Sequence, residues 1–203
     1  VVLLLVASAS MIAGLAGNIQ NPAIANMEAD LPATASQISL SISLFIGLQG
    51  FMPLLWSAIS EVKGRKVVYV VSLAIFTAGS AVVATSKTIQ LVIIFRCVQA
   101  TGHSAPNSGA ATLADIFDPV ERGTKMGIYY IAPLLGPSLA PIMGGVLTTG
   151  FNGRAPFWFL TICSGLSCSL IFIFFKDTFR KERSLTYQNV LKSRLKSQAS
   201  NAS

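Results

Sequence analysis

Six apolar runs, each roughly the twenty residues an α-helix needs to cross a hydrocarbon core, follow one another at 1–25, 38–60, 67–85, 89–115, 126–149 and 157–175. Short polar segments separate them. The pattern predicts an all-α polytopic membrane protein with six spans in residues 1–175, followed at 176–203 by a basic cytoplasmic tail or the start of a longer loop. The informative positions are those where the pattern breaks. In the fourth run Arg96, Gln99, His103 and Asn107 stand three, four and four residues apart, a spacing that keeps them on one helical stripe. A guanidinium at membrane depth costs at least ~2.5 kcal/mol on insertion scales, so it faces a bundle interior or a watery cavity. Arg96 therefore reads either as a structural arginine tying helices together or as a cavity residue on a transport path.

The first run closes on Asn18, Gln20 and Asn21 beside Pro22. Proline frees a backbone carbonyl, which membrane helices tolerate when protein or water satisfies it, so this end is expected to face protein or solvent. A second polar cluster beside a proline, His103 to Asn107 around Pro106, follows three spans later. Two inverted three-helix repeats around a midplane site would leave such a trace. The second run is rich in Ser39, Ser41, Ser43, Gly47 and Gly50, small residues that let membrane helices approach closely, and carries Gln49 and Trp56. In the fifth, Ala132, Gly136, Ala140 and Gly144 recur every four residues beside Pro133, Pro137 and Pro141. That combination predicts a packing groove on a helix that proline bends or loosens.

Composition agrees with a membrane protein: 52% of residues are hydrophobic, 11% are charged and the mean hydropathy is +0.63, whereas soluble domains carry about 25% charge. The net charge of +7 does not indicate nucleic acid, because the cations are segregated into loops and form no stripe on a soluble fold. They set an orientation instead. Three lie in the second loop, two in the fourth and seven in the tail, against Lys87 and Arg154 in the third and fifth and none in the acidic first connector. The positive-inside rule then places both chain ends in the cytoplasm. Phe157, Trp158 and Phe159 mark a membrane interface. Cys97, Cys163 and Cys168 sit inside apolar runs without metal-type spacing, so neither a metal site nor a disulfide framework is expected. No HExxH, nucleophile triad or cofactor loop occurs; neither an enzyme nor a cofactor is expected. The chain starts without Met and lacks the basic leader of a signal peptide, which suggests a fragment. In the tail, Leu185, Val190, Leu191 and Leu195 fit either a weakly amphipathic helix on an anionic leaflet or a solvated linker.

Three motifs in order resemble the major facilitator superfamily, best its fungal drug:proton antiporters of twelve spans. The loop motif G-x-L-A-D-R-x-G-R-K is matched by Glu61, Gly64, Arg65 and Lys66, while Ser57 replaces its first glycine and Val62 its first arginine. The fourth-span motif R-x-x-Q-G appears as Arg96, Gln99 and Ala100, with the glycine displaced to Gly102. The fifth-span antiporter motif appears as Ala132, Gly136, Pro137, Ala140, Pro141, Gly144 and Gly145, and the segment from Asp177 to Leu185 looks like the sequence after span six in multidrug and polyamine-type members.

The resemblance implies the N-terminal six-helix half of a transporter that alternates access against a C-terminal half. It implies proton-coupled export of drugs, polyamines or similar solutes, with a cationic or amphipathic substrate and protons as partners beside membrane lipid. Arg96, Gln99, His103, Asn107, Gln20, Asn21 and Gln49 are the expected pathway residues. Glu61, Gly64, Arg65 and Lys66, extended by Asp115 and Arg122, are the expected cytoplasmic gate. The plasma membrane is the expected location, the vacuolar membrane the alternative. No Asp or Glu lies within a span away from its ends, and His103 is the one histidine, so the proton carrier is either His103 or a carboxylate in the other half. A different class also stands: a truncated half-transporter, inactive or a regulatory or assembly subunit, whose span-five groove would pair with a second copy.

Overall fold

The computed structural model describes residues 2–24, 34–107, 109–110, 113 and 119–175. Among them the long elements are six α-helices: α1 Val2–Asn18, α2 Ala35–Lys63, α3 Arg65–Thr85, α4 Ile89–Asn107, α5 Pro119–Gly150 and α6 Ala155–Phe174. Five stretches are long and apolar enough to cross a membrane: Leu3–Ala23, Ser36–Ser60, Arg65–Thr85, Gly123–Gly150 and Ala155–Phe174. The helix left out of that set is α4, whose Arg96, Gln99 and His103 lower its hydropathy. The chain is all-α, as its sequence pattern predicts.

Local chemistry sets the helix ends. The first apolar run does not continue as one helix to residue 25: α1 stops at Asn18, and Pro22 sits in a single 3-10 turn, Asn21–Ala23. At the start of α2 the Gln37 side chain accepts the Thr34 N–H at 3.1 Å, satisfying a donor that the helix start leaves open. Gly64 alone separates α2 from α3. Its φ of 92° and ψ of 151° lie where only glycine rests without strain, and its N–H bonds Ser60 O at 3.2 Å. One residue thus reverses the chain. Arg65 and Lys66 then occupy the first turn of α3, where cations oppose the helix dipole. Their presence is explained by topology or gating, not by helix stability.

The helices pack in a scheme that maps onto itself when α1, α2 and α3 are exchanged with α4, α5 and α6. The principal contacts are α1 with α5 and α4 with α2; α3 with α4 and α6 with α1; α2 with α3 and α5 with α6; and the pairs α1 with α4 and α3 with α6. Each contact has its counterpart. The core forms three tiers along the bundle. Val83, Ala84, Ile89, Val92 and Phe157 fill one end, Leu15, Ile19, Phe76, Ala140 and Leu160 the middle, and Leu5, Tyr69, Leu73, Leu113, Tyr129 and Ile171 the other end. Large apolar side chains turn outward on α2 and α5, among them Ile46, Phe51, Leu54, Ile131, Leu134 and Val146, and equally on α6, among them Ile162, Leu166, Phe172 and Ile173.

The small-residue stripe of α5 is what α1 packs on. A Cβ on Gly136 would lie 2.8 Å from Gly14 Cα, and one on Gly144 would collide with the Ile19 carbonyl. Pro137 has no N–H, so the Pro133 carbonyl lacks its helical donor. The Gly14 backbone covers that carbonyl, which lies 3.0 Å from where a Gly14 Cβ would sit. The stripe and the prolines form one device: the backbone loses a hydrogen bond where a neighbour comes close enough to shield it.

Gly144→Ala is expected to lower the melting temperature of the purified protein by about 5 °C, from about 1–3 kcal/mol of overpacking. Gly145→Ala, where a Cβ meets nothing within 4 Å, leaves it unchanged. A scanning thermal melt in detergent checks both. Equal melting of the two variants would remove the α1–α5 crossing from the account.

Candidate functional site

Arg96 is 1% exposed, on the inner face of α4. Its guanidinium faces the bundle interior. Nη1 donates to Gln99 Oε1 at 3.0 Å, Gln99 Nε2 donates to Ser80 Oγ at 2.7 Å, and Ser80 Oγ donates to the Phe76 carbonyl at 2.8 Å. Each donor is matched to the next acceptor, running from the cation on α4 to the backbone of α3. Nε and Nη2 have no hydrogen-bond partner among the described residues. Aromatic faces stand there instead: Cζ lies 4.3 Å from the Phe45 ring centroid of α2 and 5.6 Å from that of Phe157 of α6. A cation over a ring is attracted by the ring quadrupole, by ~2 kcal/mol when both are out of water.

The backbone makes this arrangement possible. A Cβ on Gly102 would lie 2.5 Å from the Ser72 carbonyl and from Phe76 N, and one on Gly79 would lie 3.1 Å from Gln99 N. Two glycines on facing helices let α3 and α4 touch backbone to backbone, which brings Gln99 within reach of Ser80. The displaced glycine of the fourth-span motif, Gly102, is one of them. His103 is buried one turn beyond Gln99, its ring 5.4 Å from Phe45 and 6.1 Å from Phe76. Trp56 Nε1 joins α2 to α4 through the Thr101 carbonyl at 2.7 Å.

The structure thus brings Arg96, Gln99 and His103 into one layer. The remaining pathway candidates are elsewhere. Gln20 is buried after the end of α1 with Nε2 lacking a partner, Asn21 is exposed, and Gln49 is half-buried on α2. No hydrogen bond joins Gln20 to the Arg96 chain. Gln20 follows the end of α1, and the His103 ring packs 6.1 Å from Phe76 of the middle tier; the side chains of Pro106 and Asn107 lie outside the described residues. At the turn between α2 and α3, Gly64 is buried and Arg65 and Lys66 are half-buried, with Lys66 Nζ 5.6 Å from the Phe172 ring centroid. The side chains of Glu61, Asn107 and Arg122, and the whole of Asp115, lie outside the described residues. On α5, Gly136 and Gly144 are buried against α1, Gly145 is half-buried, and Pro137 and Pro141 are exposed. Sequence reasoning did not single out Ser80, Phe45, Phe76 or Phe157 as site residues, nor the 2.6 Å Ser10–Tyr129 hydroxyl pair that joins α1 to α5. Nothing local marks them: a serine among small residues and phenylalanines in apolar runs read as packing.

The family model described as Major Facilitator Superfamily matches residues 6–199. The chain belongs to the Major Facilitator Superfamily. Similar superfamily members include the MFS antiporter QDR3 of Candida albicans, 38% identical over 89% of this chain and 26% of that protein. Citrate exporter 1 of Aspergillus niger is 32% identical over 87% of this chain and 34% of its own length. Quinidine resistance protein 3 of Saccharomyces cerevisiae is 32% identical over 90% and 27%. The chain therefore spans between a quarter and about a third of these relatives. The human organic anion transporter MFSD10 shares the fold, with a TM-score of 0.72 at 20% identity over 87% of this chain and 47% of that one. Superfamily members are membrane transporters, not enzymes, and this chain is an integral membrane protein of that family.

Ser80→Ala strands the Gln99 amide in the core and is expected to cost about 1–3 kcal/mol of stability. Ser138→Ala, at an exposed serine bonded back to Leu134 O, is expected to stay within about 0.5 kcal/mol. Denaturant unfolding in mixed micelles compares them; equal midpoints would mean that Ser80 does not anchor Gln99.

Proposed function

We propose that this chain forms the N-terminal six-helix half of a proton-coupled exporter of small organic solutes, working by alternating access. The observation that carries the reading is Arg96: a desolvated cation whose Nε and Nη2 have no acceptor among the described residues while Nη1 is held in a directed chain. A buried charge with unused donors is matched to a group that arrives during the cycle, such as a substrate acceptor or a carboxylate of the complementary half whose protonation state changes. That gives coupling a physical basis, since the free energy of the guanidinium environment depends on whether the acceptor is charged. Gln99 positions the guanidinium, and His103 extends the polar face of α4; Asn107, next on the same sequence stripe, is the further candidate of the pathway. The names of the relatives, an antiporter, a quinidine resistance protein and a citrate exporter, support export and span more than one substrate chemistry; a cationic or amphipathic solute remains our assignment.

The outward apolar faces of α2 and α5 are where the complementary half docks. The single-glycine corner at Gly64, with Glu61, Arg65, Lys66, Asp115 and Arg122, forms the cytoplasmic gate. The Lys and Arg distribution supports a cytoplasmic location for this corner and both chain ends; the plasma membrane is our assignment, with the vacuolar membrane as the alternative.

Arg96→Gln in the intact transporter is expected to reduce proton-driven efflux by about 10–100-fold, the equivalent of one charge-assisted hydrogen bond, and to flatten its dependence on the pH gradient. Arg96→Lys keeps the charge but loses the fork geometry and is expected to recover part of both. Efflux from energised vesicles over a drug and polyamine panel reads this out, with melting temperature as the control for folding. Full efflux with an unaltered pH response in a well-folded Arg96→Gln protein would sink the coupling role.

A further inference from the structure

A cavity of about 690 Å³ opens on the side of the bundle, where the C-terminal ends of α3 and α5 meet the start of α6. Its floor is apolar, with Leu147 and Ile162 inside the spans; its rim carries Arg154, Asn152, Trp158 and Phe151. Phe151 is 77% exposed, Ile162 60% and Trp158 47%, so the mouth faces the surroundings of the bundle and not the Arg96 layer. Arg154 is half-buried, no acidic residue lines the cavity, and no hydrogen bond or ion pair joins its side chain to another described residue. The volume falls within the roughly 300–1,000 Å³ of small-molecule sites.

Position decides what occupies it. The lining runs from helix-end turns, level with the headgroups, down to apolar side chains one to two turns within the membrane. Trp and Arg gather at that depth because one end is wet and the other apolar. A cation above an apolar slot, with no carboxylate of its own, is complementary to a ligand that is an anion above and a hydrocarbon below. We propose that this cavity holds one phospholipid by its phosphate: Arg154 and Asn152 take the phosphate oxygens, Trp158 and Phe151 flank the glycerol, and an acyl chain descends along Leu147 and Ile162. The occupied site ties the ends of α3, α5 and α6 together from outside the transport path. It rests on the membrane placement of the chain and not on the role of Arg96.

The intact protein, purified in a non-ionic detergent, is titrated with dioleoylphosphatidylglycerol and with dioleoylglycerol, which has the same chains and no phosphate. Retained lipid is counted by native mass spectrometry. The wild type is expected to hold one phosphatidylglycerol about tenfold more tightly than the diacylglycerol, the effect of one charge-assisted contact. Arg154→Gln abolishes that preference and Arg154→Lys restores most of it, while Ile162→Trp, filling the slot, weakens both lipids. Because Arg154 and Ile162 are not core positions, each variant is expected to melt as the wild type does. A preference for the phosphate-bearing lipid that survives Arg154→Gln, or unchanged retention in Ile162→Trp, overturns the proposal.

Discussion

The bundle is built around the desolvation of one guanidinium. Inserting an arginine at the centre of a membrane helix costs ~2.5–3.5 kcal/mol on insertion scales. A hydrogen bond from a charged donor returns ~1.5–3 kcal/mol, and a desolvated cation–π contact ~2 kcal/mol. The Gln99 bond and the Phe45 face together therefore offset the insertion cost, but only if α2, α3 and α6 all stand where they do. Ser80 must hold Gln99, Phe45 must cover one side and Phe157 must approach the other. The residue that is hardest to place thus draws α2, α3 and α6 onto α4. Its placement also depends on glycine: the contacts at Gly79 and Gly102 bring α3 and α4 close enough for an amide on one helix to reach a hydroxyl on the other.

The α1–α5 crossing obeys the same geometry with different chemistry. There the close approach at Gly14, Gly136 and Gly144 shields a carbonyl that Pro137 has deprived of its donor. Proline in this helix weakens intrahelical bonding and small residues replace the loss with interhelical packing. A helix whose backbone is held partly by its neighbour bends when that neighbour shifts. α5 is thereby packed closely on α1, which in turn contacts α4, the helix of Arg96.

Fold class, the membrane-spanning pattern and the packing groove of α5 were legible in the sequence because each is a repeat: hydropathy with a twenty-residue span, small residues every four. The α4 stripe was legible for the same reason, since Arg96, Gln99 and His103 interrupt an apolar run at helical spacing. What could not be read was the other half of each contact. Phe45, Phe157 and Ser80 become site residues only through tertiary approach, and no local pattern separates a phenylalanine over a guanidinium from one facing lipid. The early stop of α1 at Asn18 was foreshadowed by its polar residues and Pro22, yet hydropathy alone carried the run to residue 25. The echo between the two proline-flanked clusters pointed to an internal repeat, and the self-mapping contact scheme has that form.

That symmetry shows where the chemistry is concentrated. Ser10 meets Tyr129 of α5 across the α1–α5 contact; Arg96 meets Phe45 of α2 across the matching α4–α2 contact. The partner helices correspond, yet the interactions differ in kind. Two hydroxyls satisfy each other locally and have no charge to transmit. A guanidinium over a ring keeps donors in reserve and changes its energy with any charge that approaches it. A neutral pair on one side of the frame and a cation on the other leave the two repeats alike in packing scheme and unlike in charge.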